Sequence, residues 1–78
     1  MMDDMKLKEV ISNVLGVSIE DINDDSSPDN IDKWDSLSHI NLVMALESEF
    51  EVDLSPEDAM DMLSVKLIRM ILEDVLKG

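Results

Sequence analysis

Two side chains near the middle of the chain could take part in covalent chemistry: the hydroxyl of Ser36 and the imidazole of His39. Ser36 lies in the tripeptide Asp35-Ser36-Leu37, and the sole histidine follows three residues later. Enzymatic serine chemistry needs a base, an acid that orients the base, and donors that stabilise an oxyanion. The sequence has no glycine-rich turn to supply such donors, so a hydrolase is disfavoured.

Ser36 is better suited to accept a phosphodiester. Asp35 is a strong candidate for the N-cap of a helix that Ser36 would open. Unpaired backbone N–H groups and the positive end of the helix dipole lie at such a terminus, and both favour a phosphate on Ser36 Oγ. An exposed helix start is also easy for a modifying enzyme to bind. We therefore interpret Ser36 as an attachment site.

Residues 36–50 are predicted to form the helix that presents this serine. Their apolar side chains recur at helical spacing and predict one apolar stripe. The stripe comprises Leu37, Ile40, Val43, Leu46 and Phe50. Further apolar residues (Leu42, Met44 and Ala45) widen the surface beyond one face, which is typical of a helix that is deeply buried or meets a partner.

The chain before this helix is predicted to form another helix and a long loop. Residues 3–15 have apolar side chains at helical spacing, with Asp3 or Asp4 as the N-cap and Gly16 as the stop. The loop 16–35 is longer than most connections in compact domains, so we expect it to be functional or to contain structure of its own. Three isoleucines are expected to pin it to the core: Ile19, Ile22 and Ile31.

Two more helices are predicted after residue 50. Ser55 is the expected N-cap of a short helix that begins with Pro56 and ends near Met62. Ser64 is the expected N-cap of the last helix, in which Lys77 suits the C-terminus. No alternating pattern predicts a strand. The expected fold class is all-α, a four-helix bundle with three long helices, one short helix and a long loop between the first two.

Composition limits the possible partners. The 78 residues, interpreted as one domain over 1–78, include 19 acidic and 6 basic residues, which gives a formal charge of −13. Such a chain repels nucleic acid and anionic lipid, and its field favours partners with basic patches. It contains no cysteine and no apolar run near the ~20 residues that a membrane span needs. We expect a cytoplasmic monomer.

The residues around Ser36 also resemble a known family. Asp35-Ser36-Leu37 opens a fifteen-residue amphipathic helix, and Leu42-Val43-Met44-Ala45-Leu46-Glu47 continues it. This segment, in an acidic chain with a long first loop, is very similar to the second helix of bacterial acyl carrier proteins. The resemblance implies a non-enzymatic carrier. It also implies that a phosphopantetheinyl transferase moves 4′-phosphopantetheine from coenzyme A to Ser36, where the thiol of the arm carries acyl groups as thioesters.

The resemblance also implies roles for other positions. Residues on the second helix would bind acyl-transferring or synthase enzymes: Asp35, Leu37, His39, Met44 and Glu47. Asp35 and Leu37 also flank the attachment site. Apolar residues could line a cavity for the acyl chain, and they are equally compatible with plain core: Ile40, Leu46, Ala59, Met62 and Ile68.

The sequence departs from common fatty-acid carriers in the same region. Ser38 and Asn41 replace acidic residues, and Trp34 stands where a small residue is usual. We expect Trp34 to pack over the loop and His39 to lie at the surface or contact a partner. These features resemble stand-alone carriers of specialised pathways, so secondary-lipid, polyketide-like or polysaccharide-linked biosynthesis is as compatible as fatty-acid synthesis.

Three other interpretations remain open at this point. A peptidyl or D-alanyl carrier would have the same arm and fold with different cargo. An unmodified acidic adaptor would present the second helix without needing Ser36. An EF-hand-like calcium protein would use loop 21–32, where Asp21, Asn23, Asp25, Asp29 and Asp32 follow calcium-ligand spacing. Ser26 stands where that loop needs glycine, so no specific metal site is predicted.

Overall fold

The computed structural model describes residues 3–77, and within them it contains four α-helices and no strand. The helices are α1 (Asp4–Leu15), α2 (Ser36–Phe50), α3 (Pro56–Asp61) and α4 (Val65–Lys77). A short 3₁₀ helix, Ile19–Asp21, interrupts the long loop between α1 and α2. The predicted all-α fold with three long helices and one short helix is confirmed. None of the described helices combines the length and apolar character needed to cross a bilayer.

The helix ends follow from local side-chain chemistry. Asp3 caps α1 by accepting a hydrogen bond from the Lys6 N–H, and Gly16 ends that helix in the left-handed region with φ of 70°. Glycine adopts this conformation without steric cost. Ser55 and Asp58 form a reciprocal capping box at the start of α3. These contacts are local in sequence, which explains why the helix boundaries were predictable.

The core is formed by aliphatic side chains from all the long helices and by one tryptophan from the loop. Its fully or almost fully buried members include Leu7, Ile11, Trp34, Leu42, Leu46, Met62, Ile68 and Leu72. With so few aromatic residues in the chain, aliphatic packing supplies most of the buried apolar area.

The predicted apolar stripe of α2 was wrong in part, because it combined residues from two faces. Leu37 is 68% exposed and Ile40 is 57% exposed. The buried face is instead formed by Leu42, Val43 and Leu46. At 100° per residue, positions 37, 40 and 44 lie together on the side of the helix opposite positions 42 and 46. Helix α2 therefore has a buried apolar face and an exposed one.

The long loop has internal structure and is attached to α4. The first two N–H groups of α4, those of Val65 and Lys66, donate to the carbonyls of Ser26 and Asp24 at 3.0 and 3.2 Å. The guanidinium of Arg69 bridges the carboxylates of Asp24 and Asp4, and the hydrogen bond to Asp24 is the main cause of a pKa below the usual range for that carboxyl. These contacts attach the middle of the loop to the start of α4.

Candidate functional site

Ser36 is exposed and is the first residue of α2. The side chain of Asp35 accepts a hydrogen bond from the Ser38 N–H at 2.8 Å, which caps the helix and lowers the pKa of the Asp35 carboxyl. The Asp35 carbonyl accepts the first backbone hydrogen bond of the helix, from the His39 N–H at 2.8 Å. The hydroxyl of Ser36 is therefore presented at a rigid, well-capped helix start.

The cap changes the electrostatic argument for a phosphate on Ser36. The Asp35 carboxylate already occupies the Ser38 N–H, so the helix terminus does not offer all of its donors to a second anion. The helix start therefore has fewer free donors for a phosphate on Ser36 than the sequence suggested. What the structure provides instead is an accessible hydroxyl beside an apolar surface.

That surface is an open groove of about 560 Å³ next to Ser36. Its walls are mostly apolar and come from the loop, α2, α3 and the segment between α3 and α4. The lining residues are Pro28, Trp34, Asp35, Ser36, His39, Ile40, Met60, Met62 and Leu63. A group attached to Ser36 could lie along it, so the site fits an amphipathic arm with a phosphate at one end and a thioester-linked cargo at the other.

The groove contains only part of the predicted acyl cavity. Ile40 and Met62 line it, whereas Leu46 and Ile68 are fully buried in the core and Ala59 packs against that core. For Leu46, Ile68 and Ala59, the structure therefore fits the alternative that they are ordinary core residues.

Met60 and Leu63, both large, exposed and apolar, line the groove and were not identified from the sequence. Their position in or just after the very short helix α3 was the available signal, because a helix of so few turns cannot bury side chains on every face.

The predicted surface position of His39 needs correction. Its ring is half-buried, and both ring nitrogens bind other parts of the chain. Nδ1 accepts from the indole N–H of Trp34 at 2.9 Å, and Nε2 lies 2.8 Å from the carbonyl oxygen of Ala59. The physical reason is angular: position 39 lies on the same side of α2 as the buried Leu42 and Leu46. Its nitrogens are not free to contact a partner.

The other predicted recognition residues divide into two groups. Leu37 is exposed, as expected, and so is Met44, at 55%. Glu47 is half-buried, and its carboxylate accepts a hydrogen bond from the Leu54 N–H at 3.0 Å. Glu47 therefore holds the segment after α2 in place, which is a role that the sequence did not indicate.

Trp34 is 2% exposed, so its predicted packing role agrees with the structure. Its indole lies nearly parallel to the His39 ring, with the ring centroids 6.1 Å apart. The only polar atom of the side chain donates to His39, which is how a buried indole is normally accommodated.

The loop geometry does not support the calcium-loop alternative. Within residues 3–77, no three acidic or histidine side chains converge on a common point as metal ligands would. The side-chain oxygen of Asn23 instead accepts from the Asp25 N–H at 2.9 Å, and Ser26 is buried beneath the loop. The acidic residues follow the spacing of a calcium loop without its fold.

Comparison with known proteins identifies the family of this chain. Residues 6–68 match the family model of the phosphopantetheine attachment site. An acyl carrier protein of Buchnera aphidicola is 42% identical over 55 residues, which is 69% of this chain and 68% of that protein. An acyl carrier protein of Nitratidesulfovibrio vulgaris is 39% identical over 61 residues, 78% of this chain and 80% of that protein.

The fold also matches a solved structure. The solution structure of a holo acyl carrier protein from Geobacter metallireducens superposes with a TM-score of 0.86, covering 99% of this chain and 88% of that one. Its sequence is 23% identical, so the likeness concerns the fold. The family match and the two sequence relatives are what assign function: this chain belongs to the acyl carrier proteins, non-enzymatic carriers with a phosphopantetheine attachment site.

Proposed function

We propose that Ser36 is the residue that carries 4′-phosphopantetheine, and that the chain holds acyl intermediates as thioesters on that arm. The observation that supports this most strongly is the position of Ser36. It is an exposed hydroxyl at the capped start of α2, at the edge of an apolar groove, and inside the segment that matches the family.

The roles of the surrounding residues follow from their contacts. Asp35 fixes the start of the helix, so the backbone that carries the exposed Ser36 hydroxyl is held in place. Ile40, Met60 and Leu63 offer apolar surface beside the attachment point. When attached, the arm supplies the thiol, a group that this chain cannot provide because it contains no cysteine.

The proposed partners are a phosphopantetheinyl transferase and the enzymes that load and use the cargo. A formal charge of −13 would draw in partners with basic patches at long range. At short range, Leu37 and Met44 offer exposed apolar contacts on the same helix as Ser36. Methionine adapts its shape to different surfaces, which suits a carrier that must bind several enzymes in turn.

For the pathway, we propose a specialised biosynthetic route. The supporting observation is that the first two turns of α2 have no acidic residue, since Ser38 and Asn41 replace the acids that common fatty-acid carriers have there. A peptidyl or D-alanyl carrier remains the alternative, because it would use the same serine and arm.

The attachment is tested by intact mass after incubation with coenzyme A and a broad-specificity phosphopantetheinyl transferase. The wild-type chain is expected to gain one phosphopantetheine, and Ser36→Ala none. Ser38→Ala is the matched control, because it removes a hydroxyl from the same helical turn and should still be modified. Modification of Ser36→Ala, or none of a folded and initially unmodified wild-type chain, would reject the proposal.

A further inference from the structure

The ring of His39 connects three segments that form the inner side of the groove. Its Nδ1 accepts from the indole N–H of Trp34, so Nδ1 carries no proton. The neutral ring then has its proton on Nε2, which donates to the Ala59 carbonyl at 2.8 Å. A continuous hydrogen-bond chain therefore runs from the loop, through α2, to α3.

This chain forms the floor of the groove together with a buried methionine. Trp34 and Met62 are almost completely inaccessible to solvent, and His39 is half-buried beside them. Leu46 and Ile68 do not line the groove and are fully buried in the core. The inner side of the groove is thus formed by two aromatic rings and a methionine.

We infer that the Trp34–His39–Ala59 hydrogen-bond chain is a latch that keeps the cargo of Ser36 in the outer groove and out of the helical core. The inference rests on the proposed function of Ser36. It makes Trp34 and His39 positioning residues that determine where the cargo lies. The cargo instead contacts the exposed side chains of the groove, namely Ile40, Met60 and Leu63.

The physical basis is the cost of opening the latch. An alkyl chain that entered between α2 and α3 would have to displace the His39 ring. That would leave the buried indole N–H of Trp34 without a partner, and unpaired buried polar groups are strongly unfavourable. It would also remove one of two donors from the Ala59 carbonyl, which keeps the Met62 N–H at 3.4 Å. The outer groove can be filled without breaking either hydrogen bond.

A functional consequence follows for the thioester. A cargo in an open groove stays accessible to water and to partner enzymes, whatever its length. A carrier of this kind need not extract its cargo from the core before each transfer. It also tolerates short or polar cargo, because no apolar interior has to be filled.

The test uses the full chain loaded with octanoyl-phosphopantetheine whose terminal methyl is ¹³C-labelled. Intact mass first verifies loading, so a failure of attachment at Ser36 is recognised separately from a failure of the latch. Nuclear Overhauser contacts of the labelled methyl are then recorded. Contacts with the side chains of Met60 or Leu63 are expected, and contacts with Leu46 or Ile68 would overturn the inference.

Variants of the latch provide the second readout, the rate at which hydroxylamine cleaves the thioester. In the wild-type chain, the ratio of the acetyl to the octanoyl cleavage rate should equal the ratio for the same thioesters of free phosphopantetheine. In His39→Ala, octanoyl cargo should be cleaved several-fold more slowly, because the open floor admits the alkyl chain. His39→Gln, which retains a donor and an acceptor, should restore the wild-type pattern.

Trp34→Phe is a second test of the latch in case His39→Ala does not fold. It removes the indole N–H and preserves most of the ring volume. It should also slow the cleavage of octanoyl relative to acetyl cargo. Protection of octanoyl cargo in the wild-type chain would contradict the latch. So would an unchanged ratio of the two cleavage rates in latch variants whose circular dichroism shows a folded helical chain.

Discussion

Helix α2 has two apolar faces that do different things. The inner face, with Leu42, Val43 and Leu46, is buried in the core. The outer face, with Leu37, Ile40 and Met44, has more than half of each side chain exposed. A helix needs only one apolar face to fold onto a core, so the second is not explained by stability.

The difference shows how one helix can combine a structural role with a role in binding. Residues on the inner face lose solvent on folding and contribute to the free energy of unfolding. Residues on the outer face lose solvent only when another surface covers them. Ser36 stands at the start of the helix, where a group attached to it can reach the exposed apolar face without disturbing the buried one.

The largest expected effect is a difference in unfolding free energy between substitutions on the two faces. Leu46→Ala should lower the free energy of unfolding by about 2–5 kcal/mol, because it creates a cavity in the core. Met44→Ala, two residues earlier on the exposed face, should change it by less than about 0.5 kcal/mol. Urea unfolding followed by circular dichroism measures both values. Equal losses in the two variants would show that the faces are not distinct.

This comparison also shows what the sequence could and could not predict. The bounds of the helices were accessible because their signals are local: Asp35, Ser55 and Gly16 act on backbone groups within a few residues. The side of α2 that turns inward was not accessible. It depends on how distant segments pack around a helix whose apolar residues surround most of its circumference.

The same distinction holds within the site. Ser36 and Asp35 were identified because a capped serine at a helix start is a local pattern. The bond between His39 and Ala59 joins residues twenty apart in sequence, and the groove residue Met60 comes from a different helix. Such contacts depend on the tertiary arrangement, so no periodicity in the chain indicated them.

The next prediction tests whether the exposed face of α2 contributes to binding. Leu37→Ala should lower the kcat/KM of the phosphopantetheinyl transferase about tenfold, the usual scale for losing one apolar anchor of an interface. The stability of the chain should not change, because Leu37 is exposed. Met70→Ala removes a similarly exposed side chain from α4 and serves as the control. Equal rates for both variants and the wild type would mean that Leu37 is not an anchor.

A smaller effect is expected from the charged contacts of the loop. Its size can be compared with the loss of stability in Leu46→Ala, on the buried face of α2. Arg69→Gln should lower the free energy of unfolding by about 1 kcal/mol or less, because its partners Asp4 and Asp24 are largely exposed. The difference from the wild type should shrink at high salt, which screens exposed pairs. Lys77→Gln is the control. A loss as large as that of Leu46→Ala would show that the loop contacts contribute as much to the free energy of unfolding as the buried face of α2.

The smallest expected effect concerns the cap that presents Ser36. The pKa of Asp35 is held below the unfolded-state value of 3.8, chiefly by the hydrogen bond from Ser38. Its contribution is therefore fully present above that pH and is lost as the pH falls through the lower folded-state value. Asp35→Asn retains a good N-cap without titrating there, so its unfolding free energy should fall slightly less between pH 5 and pH 2 than that of the wild type. An identical acid dependence in the two chains would show that the charge of the Asp35 carboxylate does not contribute to holding the start of α2, where Ser36 lies.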